Sequence, residues 1–459
     1  MFWTQPGDED YDERRALFNA MIDKRPRLIA GCGGAADVRE ALERARRDGL
    51  EVAVRAGGHS VAGMSTNDDG LVVDVRPMKR IEVDAAPRRV RVGAGVTWGE
   101  LDAATQERAL ATTGGRVSST GVAGFTLGGG SGWLDRRHGL ACDQLRAVDI
   151  VTADGRELHV DGDHHAELFW ALHGGGGNFG VVTDFELELH PLGPTVQAGL
   201  FAWPTRSVGA DVARAYRDWA DGAPDELGSW LLMTTGPDED WVPDDLKGQP
   251  ISLLCAMWAG AVEAGQELMQ PLRELEPRID LMEPRPYTEF QSMLDDVPGN
   301  RHYWSADYHD VFPDEALEVL VASSLDAPSP LTQQILVGWG GAAGRVPEDE
   351  TPLTNRSAAW VTHPFAVWQD PLDDHVNIEW VRRFRRAIAP WASGGVYLNF
   401  IGNEGDGRIR KAYGEAKYRR LAAVKAEYDP GNVFRGNQNI APAPSAGLAD
   451  AGHVEVGHA

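Results

Sequence analysis

Three glycine-rich segments contain the residues of this sequence whose types and spacing are best suited to chemistry. They read RAGGHS at 55–60, VSSTGVAGFTLGGGSGWL at 117–134 and HGGGGNFGVVT at 173–183. Because glycine has no Cβ, the backbone can approach a flat or anionic ligand closely, and successive N–H groups in such turns can surround a pyrophosphate. One such segment alone is equally typical of a surface loop. The three together favour a site for a large cofactor that carries phosphate.

Other cofactor and metal motifs do not occur in the sequence. The phosphate-loop pattern GxxxxGK[ST] is missing, and GGGGNFG lies between a predicted helix and a predicted strand, the reverse of the order that a nicotinamide fingerprint requires. Cys32, Cys142 and Cys255 form no CxxC pair, which argues against a disulfide framework and a zinc knuckle. We interpret His164 and His165 as solvated residues at a helix start. No metal site is therefore predicted.

Helices and strands alternate in the part of the chain that holds these segments. Four alanine, valine and leucine residues between positions 38 and 45 recur at helical spacing, and Gly49 stands where a helix cap would. Thr97 and Glu100 have capping-box spacing. Further elements are predicted as strands at 51–55, 71–75, 88–95 and 181–190, and as a hairpin at 149–160. The strand at 51–55 runs directly into the first glycine pair.

The middle of the chain has a different composition. It contains most of the tryptophans and few glycine-rich turns, and it follows a punctuating segment at 190–194. Strands are predicted at 251–260 and 335–344, and a helix at 314–324. This composition suits a substrate-binding domain, although aromatic residues pack a core more often than they line a pocket. An amphipathic helix is predicted at 416–428.

The glycine segments and the C-terminal region resemble a known family. RxGGHS at 55–60, TGVAGFTLGGGSGWL at 120–134, LFWALHGGGGNFGVVTDFEL at 168–187 and KYRRLAAVKAEYDPGNVFRGNQNIAP at 417–442 are similar to the berberine-bridge-enzyme-like branch of the vanillyl-alcohol oxidase superfamily. The likeness is strong over 15–195 and 395–442. It implies an α+β, two-domain fold, in which a PCMH-type FAD-binding domain of mixed sheets and helices accompanies a substrate domain with an antiparallel sheet flanked by helices.

The resemblance also implies domain limits. The FAD-binding domain is expected at 1–194 and is completed by the C-terminal segment 396–442. The substrate-binding domain is expected at 195–395, between these two parts. The remaining residues, 443–459, are rich in alanine, glycine and proline and are expected to form a flexible tail.

The resemblance implies that FAD is bound covalently through His59, by the histidine of the RxGGH loop. Many family members have a second link from a cysteine, but the matching position is Val117, so one covalent bond is expected. Thr120 matches a position that controls oxygen access in the family. The predicted cofactor-binding residues are Arg55, Ala56, Gly57, Gly58, His59, Ser60, Val117, Ser118, Thr120, Gly121, Gly124, Leu127, Gly128, Gly129, Gly130, Gly132, Trp133, Gly180, Val181, Val182, Asn437 and Asn439.

The catalytic base is the point at which the sequence departs from the family. Well-studied members carry YxNY, whose second tyrosine deprotonates the substrate, whereas this chain has Phe400 at that position. On an extended strand, Tyr397 and Asn399 would share one face and Phe400 would point to the other. The predicted catalytic residues are Tyr397, Tyr303 and Asp307, although Tyr397 is equally well interpreted as a packed core residue. Tyr308 and His363 are further candidates.

The charge of the chain bears on its partners. Its 44 basic and 69 acidic residues give a net charge of −25, which would repel nucleic acid and anionic membranes. A cytoplasmic protein with a small-molecule substrate and oxygen as electron acceptor is expected, and the sequence does not indicate its oligomeric state. The leading hypothesis is an oxidase acting on an alcohol, sugar or secondary metabolite. The alternatives are a dehydrogenase that uses another acceptor and a flavin-binding protein whose catalytic machinery has decayed.

Overall fold

The computed structural model of the protein describes residues 1–402 and 404–444. Of the predicted flexible tail, positions 445–459 lie outside the described residues. Three sheets organise the described chain: two smaller ones formed before residue 190 and a large one formed between residues 195 and 368.

The first sheet contains four strands, and one of its two edge strands runs into the first glycine segment. Its strands are β1 (Phe2–Thr4), β2 (Leu28–Gly31), β3 (Val52–Arg55) and β4 (Leu71–Asp74), in the order β1-β2-β4-β3. Strands β2 and β3 run parallel to β4. The accompanying helices are α1 (Tyr11–Arg15) and α2 (Ala35–Asp48). The first glycine segment therefore begins where the parallel strand β3 ends.

Helix α2 confirms the spacing argument. Its buried residues are Val38, Ala41, Leu42 and Ala45, and it ends at Gly49, whose φ of 66° lies in the left-handed region. The N–H of Gly49 donates to the carbonyl of Ala45. Glycine adopts this conformation without the steric penalty that a side chain would bring.

The second sheet contains five antiparallel strands. They are β5 (Ile81–Asp84), β6 (Arg89–Gly93), β8 (Leu145–Val151), β9 (Glu157–Asp161) and β10 (Val181–Glu188), in the order β5-β6-β10-β8-β9. The short strands β7 (Leu110–Ala111) and β11 (His190–Pro191) form a separate pair. The helices of this part are α3 (Trp98–Gln106), α4 (Val122–Leu127), α5 (Asp135–His138) and α6 (Ala166–Leu172). Strands β8 and β9 form the predicted hairpin, and α3 begins with the predicted capping box of Thr97 and Glu100.

The third sheet contains nine antiparallel strands. They are β12 (Thr195–Pro204), β13 (Leu227–Thr235), β14 (Pro250–Trp258), β15 (Ile279–Asp280), β16 (Glu283–Pro286), β17 (Arg301–Trp304), β18 (Asp307–His309), β19 (Gln333–Gly338) and β20 (Trp360–Trp368). The main path is β15-β12-β14-β13-β19-β20-β17, with β16 beside β12 and β18 beside β20. The accompanying helices are α7 (Thr205–Asp221), α8 (Val262–Leu268), α9 (Gln270–Arg273), α10 (Tyr287–Gln291), α11 (Asp314–Leu325), α12 (Ala342–Arg345) and α13 (Asp374–Ile388).

The two faces of this large sheet have different neighbours. Alternate residues such as Phe201 and Leu231 belong to the core beneath α7, α11 and α13. Their neighbours Leu200 and Leu232 belong to the core shared with the glycine-rich part of the chain. Since side chains of a strand alternate between faces, one face of the sheet packs against these helices and the other faces the glycine-rich part of the chain. The two-domain, α+β expectation with a helix-flanked antiparallel sheet is confirmed.

Two predicted elements differ from the structure. The strand expected at 335–344 ends at Gly338, because Gly340 and Gly341 adopt positive φ values of 95° and 60° and turn the chain away from the sheet. The helix expected at 416–428 is longer: α14 extends over Asp406–Tyr428, with a kink at Gly414. Within the described chain, none of the helices combines the length and apolar character that crossing a membrane requires.

Candidate active site

A cavity of about 1100 Å³ lies between the glycine-rich segments and the open face of the large sheet. This volume is at the upper end of what small-molecule sites occupy, so it can hold a dinucleotide-sized cofactor together with a substrate. Most of the predicted cofactor residues line it: Ala56, Gly57, Gly58, His59, Ser60, Val117, Thr120, Gly121, Gly124, Leu127, Gly128, Gly180, Val182 and Asn437.

The loop at 56–60 has the geometry of a cradle for a flat or anionic group. A Cβ on Gly57 would lie 2.3 Å from the amide nitrogen of Gly121, and one on Gly121 would lie 2.5 Å from that of Gly57. Only glycine permits the two loops to approach so closely. Within the described chain, the N–H groups of Gly57, Gly58, His59 and Ser60 donate to no other protein group. Consecutive free N–H groups of this kind suit the phosphates of FAD.

The ring of His59 is held from two sides. Its Nε2 lies 3.0 Å from the hydroxyl of Ser119, and its plane stacks on Phe18 with the ring centroids 4.3 Å apart. Burial lowers the pKa of His59 to about 4, so the ring is neutral at neutral pH and keeps a nucleophilic nitrogen. Within the described chain, its Nδ1 has no hydrogen-bond partner.

The other predicted cofactor residues lie off the cavity wall, and the glycine run at 128–132 shows why. The N–H groups of Gly130 and Ser131 donate to the hydroxyl of Tyr397, at 2.6 and 2.8 Å. Gly132 packs against the carbonyl of Gly114. The N–H groups of Gly130 and Ser131 are therefore used within the protein, and of residues 128–132 only Gly128 and Ser131 line the cavity. The residues placed off the wall are Arg55, Ser118, Gly129, Gly130, Gly132, Trp133, Val181 and Asn439.

Local contacts show what three of these residues do away from the cavity. The guanidinium of Arg55 donates to the carbonyls of Arg14 and Ala16, so it fixes the N-terminal segment. Ser118 donates to the carboxylate of Asp295. Trp133 packs in the core against Trp230.

None of the three predicted catalytic side chains lines the cavity. Tyr397 is 1% exposed, and burial raises the pKa of its hydroxyl well above the usual range. The hydroxyl already accepts from the N–H groups of Gly130 and Ser131 and from the amide of Asn399. Asp307 is paired with Arg385 at 3.0 Å and with Arg408 at 2.7 Å. Tyr303 packs beneath the guanidinium of Arg382. Their surroundings are those of structural residues.

The turn after Tyr397 also differs from the predicted strand. Residues 398–400 form a single 3-10 turn, so Leu398, Asn399 and Phe400 all line the cavity while Tyr397 faces the core. The amide of Asn399 donates to the carbonyl of Phe125 at 3.0 Å and fixes the turn against the second glycine segment. A strand periodicity does not apply to a turn, which is why the predicted faces were wrong.

The large sheet contributes a mostly apolar wall, of which the sequence analysis had named only His363. The wall residues from its strands are Leu200, Trp230, Leu232, Thr234, Thr235, Leu253, Trp304, Gln333, Ile335, His363 and Phe365. Strand alternation signals that these residues share a face, but it does not show that the face covers a cavity. Gly174, Gly176 and Gly177 were also missed as wall residues, although the third glycine segment was itself a signal. The outer rim is acidic, with Asp238, Glu239, Asp295 and Asp296.

Comparison with known proteins identifies an FAD-binding domain in this chain. The FAD binding domain family matches residues 26–161, and the family "Berberine and berberine like" matches 396–441. The chain is 31% identical to (R)-6-hydroxynicotine oxidase of Paenarthrobacter nicotinovorans over 95% of its length and 96% of that protein. It is 29% identical to the FAD-linked oxidoreductase YvdP of Bacillus subtilis, over 95% of its length and 97% of that protein.

Solved structures give the same result. The fold matches the crystal structure of 6-hydroxy-D-nicotine oxidase from Arthrobacter nicotinovorans with a TM-score of 0.87 and 29% identity, over 96% of this chain and 98% of that one. It matches BBE-like 1 of Physcomitrella patens with a TM-score of 0.87 and 22% identity, over 96% and 97%, which is a likeness of fold.

The fold and cavity thus define a flavoprotein oxidoreductase. The chain belongs to the berberine-bridge-enzyme-like FAD-linked oxidoreductases of the vanillyl-alcohol oxidase superfamily.

Proposed function

We propose that the protein is an oxidase whose FAD is attached through His59 alone, and that it oxidises a small organic substrate at the expense of oxygen. The observation that carries this proposal is the single cavity that joins the His59 cradle to the apolar wall of the large sheet. The bound FAD would supply the hydride acceptor, and the hydrogen peroxide formed would report its reoxidation.

Residues of the chain would hold the cofactor as follows. The N–H groups of residues 57–60 suit phosphate oxygens, and both Gly57 and Gly121, whose backbones are in close contact, line the cavity. None of the cavity-lining residues is a cysteine, and Val117 occupies the position of the family's second link. A single covalent bond is therefore proposed.

The cavity also favours a class of substrate. Leucine, isoleucine, tryptophan and phenylalanine side chains dominate the sheet wall, and carboxylates surround the rim. An apolar or aromatic secondary metabolite that is neutral or cationic would bury its ring there more favourably than an anionic compound. Thr120 lines the cavity, and its small side chain supports access by oxygen.

Two measurements test the proposed function. Acid precipitation of the purified protein is expected to give a yellow pellet, since a covalent flavin stays with the polypeptide. Benzyl alcohol, glucose and (R)-6-hydroxynicotine, which represent an aromatic alcohol, a sugar and a heteroaromatic amine, are then supplied in air. Peroxide formation supports the oxidase; flavin reduction without peroxide supports a dehydrogenase. Bound flavin that no compound reduces would contradict both and support a flavin-binding protein.

Ser119→Ala is expected to slow covalent attachment of FAD about fivefold, since one hydrogen bond of roughly 1 kcal/mol no longer orients the His59 ring. The measurement is a time course of acid-stable flavin after FAD is added to flavin-free protein. Ser118→Ala is the matched control, because the Ser118 hydroxyl bonds to Asp295 and not to His59. Equal attachment rates in the two variants would show that Ser119 does not position His59.

A further inference from the structure

We propose that His363 is the catalytic base, and that its Nε2 takes the proton of the substrate hydroxyl or amine. This assignment rests on the proposed function. It supplies the proton-accepting group that Phe400, at the family's tyrosine position, lacks.

The backbone places His363 on the substrate side of the sheet. It lies in β20, opposite Ile335 of β19, and both residues line the cavity. Its Nδ1 lies 2.8 Å from the carbonyl oxygen of Ser305. Because a carbonyl only accepts, Nδ1 must carry the proton, and Nε2 therefore presents a lone pair. Within the described chain, Nε2 has no hydrogen-bond partner.

Aromatic neighbours hold the ring in this orientation. The ring of Phe400 stacks on His363 with the centroids 4.2 Å apart and the planes 15° from parallel. Trp304 and Phe365 meet it edge-on, at 5.8 and 5.4 Å. A phenyl ring cannot accept a proton, so Phe400 orients the imidazole that can. The two residues together do what the family's tyrosine does alone.

The surroundings of the His363 ring keep it in its neutral form, which can accept a proton. Burial lowers the pKa of His363 to about 4, and the nearby positive charge of Arg116 acts in the same direction. Behind the ring, the Ser305 hydroxyl donates to the carboxylate of Glu404 at 2.6 Å. A lowered pKa means that the neutral ring persists down to acidic pH and that base function is lost only below the folded-state pKa.

The step balances with the acceptor already proposed. The substrate O–H or N–H bond breaks and its proton goes to Nε2, while the electron pair left behind forms the new C=O or C=N bond. The adjacent C–H bond breaks and its hydrogen leaves as hydride, for which FAD held at this site would be the two-electron acceptor. Oxygen would take these two electrons, together with the two protons that come from the substrate C–H and O–H (or N–H) bonds, and become hydrogen peroxide.

The test is anaerobic reduction of the bound flavin by benzyl alcohol, glucose and (R)-6-hydroxynicotine. The rate of reduction is measured by stopped-flow absorbance of the flavin as a function of pH. His363→Gln keeps an amide N–H for the Ser305 carbonyl but has no basic nitrogen. Its reduction rate is expected to fall by about 10²–10⁴-fold. The wild type is expected to lose rate at acidic pH as His363 is protonated, and the variant should lack this loss. Flavin content should stay at the wild-type level.

Two further variants separate a base from a structural histidine. His309→Gln is the control, because both His309 nitrogens bond within the protein, to the Trp391 carbonyl and the Thr362 hydroxyl; it should reduce at the wild-type rate. Adding Phe400→Tyr to His363→Gln supplies a phenol at the family position and should recover part of the rate. A His363→Gln protein that is reduced as fast as wild type, with the same pH profile, would overturn this assignment and leave the oxidase intact. A wild-type flavin that no compound reduces would overturn both.

Discussion

His59→Ala is expected to leave no acid-stable flavin in the protein, whereas nearly all of the flavin of the wild type should remain in the acid pellet. The reason is chemical: His59 is the proposed attachment residue in the cradle, and none of the residues that line the cavity is a cysteine. The glycine cradle at 57–60 is made by the backbone, so it survives the substitution. FAD should therefore still bind, without a covalent bond, and appear in the acid supernatant.

The measurement is the ratio of flavin absorbance in pellet and supernatant, with mass spectrometry of the peptide that contains residue 59. His375→Ala serves as the matched control, because His375 is exposed on α13 and lies outside the cavity. It should keep the wild-type ratio. A yellow pellet from His59→Ala would show that another residue forms the bond, and a colourless wild-type pellet would remove the covalent link while leaving FAD binding in place.

Lys425→Met is expected to lower the free energy of unfolding by about 3–5 kcal/mol. The Lys425 ammonium and the Asp429 carboxylate are fully buried and 2.7 Å apart. Lys425 also donates to the carbonyls of Asn178 and Phe434, at 2.6 and 3.0 Å. Methionine would leave a buried carboxylate without its counter-charge and the Asn178 carbonyl without a donor. The Phe434 carbonyl would keep only the 3.4 Å hydrogen bond from the Asn437 amide. Because Asn178 lines the cavity, the same change should weaken retention of FAD before it is attached.

Urea unfolding of the flavin-loaded proteins, followed by tryptophan fluorescence, measures this loss. Lys411→Met on the exposed side of α14 is the control and should change stability by no more than about 0.5 kcal/mol. The double variant Lys425→Met/Asp429→Asn removes the orphaned charge and should recover part of the loss. If Lys425→Met were as stable as Lys411→Met, the ion pair would have no role in joining α14 to the third glycine segment.

In our proposal, Phe400 orients His363 and His363 accepts the proton. This changes the interpretation of the phenylalanine at the position where the family has a tyrosine. Taken alone, the phenylalanine supports a decayed flavoprotein. In the structure it stacks on a histidine whose proton position is set by the Ser305 carbonyl. The two residues are 37 positions apart in the chain, so only the packing of β20 against the 398–400 turn brings them together.

Local elements were predictable because their causes are local. The end of α2 at Gly49 follows from the one residue type that adopts a left-handed φ without penalty, and the start of α3 follows from two side chains three positions apart. The alternation in β10 marks one buried face in any sheet that it joins. These elements lie beside the first two glycine segments, and most of the predicted cofactor residues line the cavity.

The wrong expectations concern residues whose roles depend on distant partners. Gly130 has the same residue type as Gly128, yet its N–H belongs to Tyr397, 267 positions away. Tyr397 and Asp307 have suitable chemical groups, but burial and ion pairing occupy them. A sequence motif does not show which of its polar groups already form hydrogen bonds or ion pairs with distant parts of the fold.

By itself, the sequence determined the cofactor class, the histidine in the cradle and the absence of a cysteine at position 117. It also determined the alternating elements around them. Glycine conformation, side-chain spacing and residue chemistry are properties of short segments, so these features can be predicted without the tertiary structure. The tertiary structure alone decided which glycines face the cavity, that Tyr397 is a core residue, and that His363 stands beside Phe400 on the substrate wall. These outcomes depend on packing between segments far apart in the chain, where burial sets the pKa of a group and hydrogen bonding determines whether it remains available to a ligand.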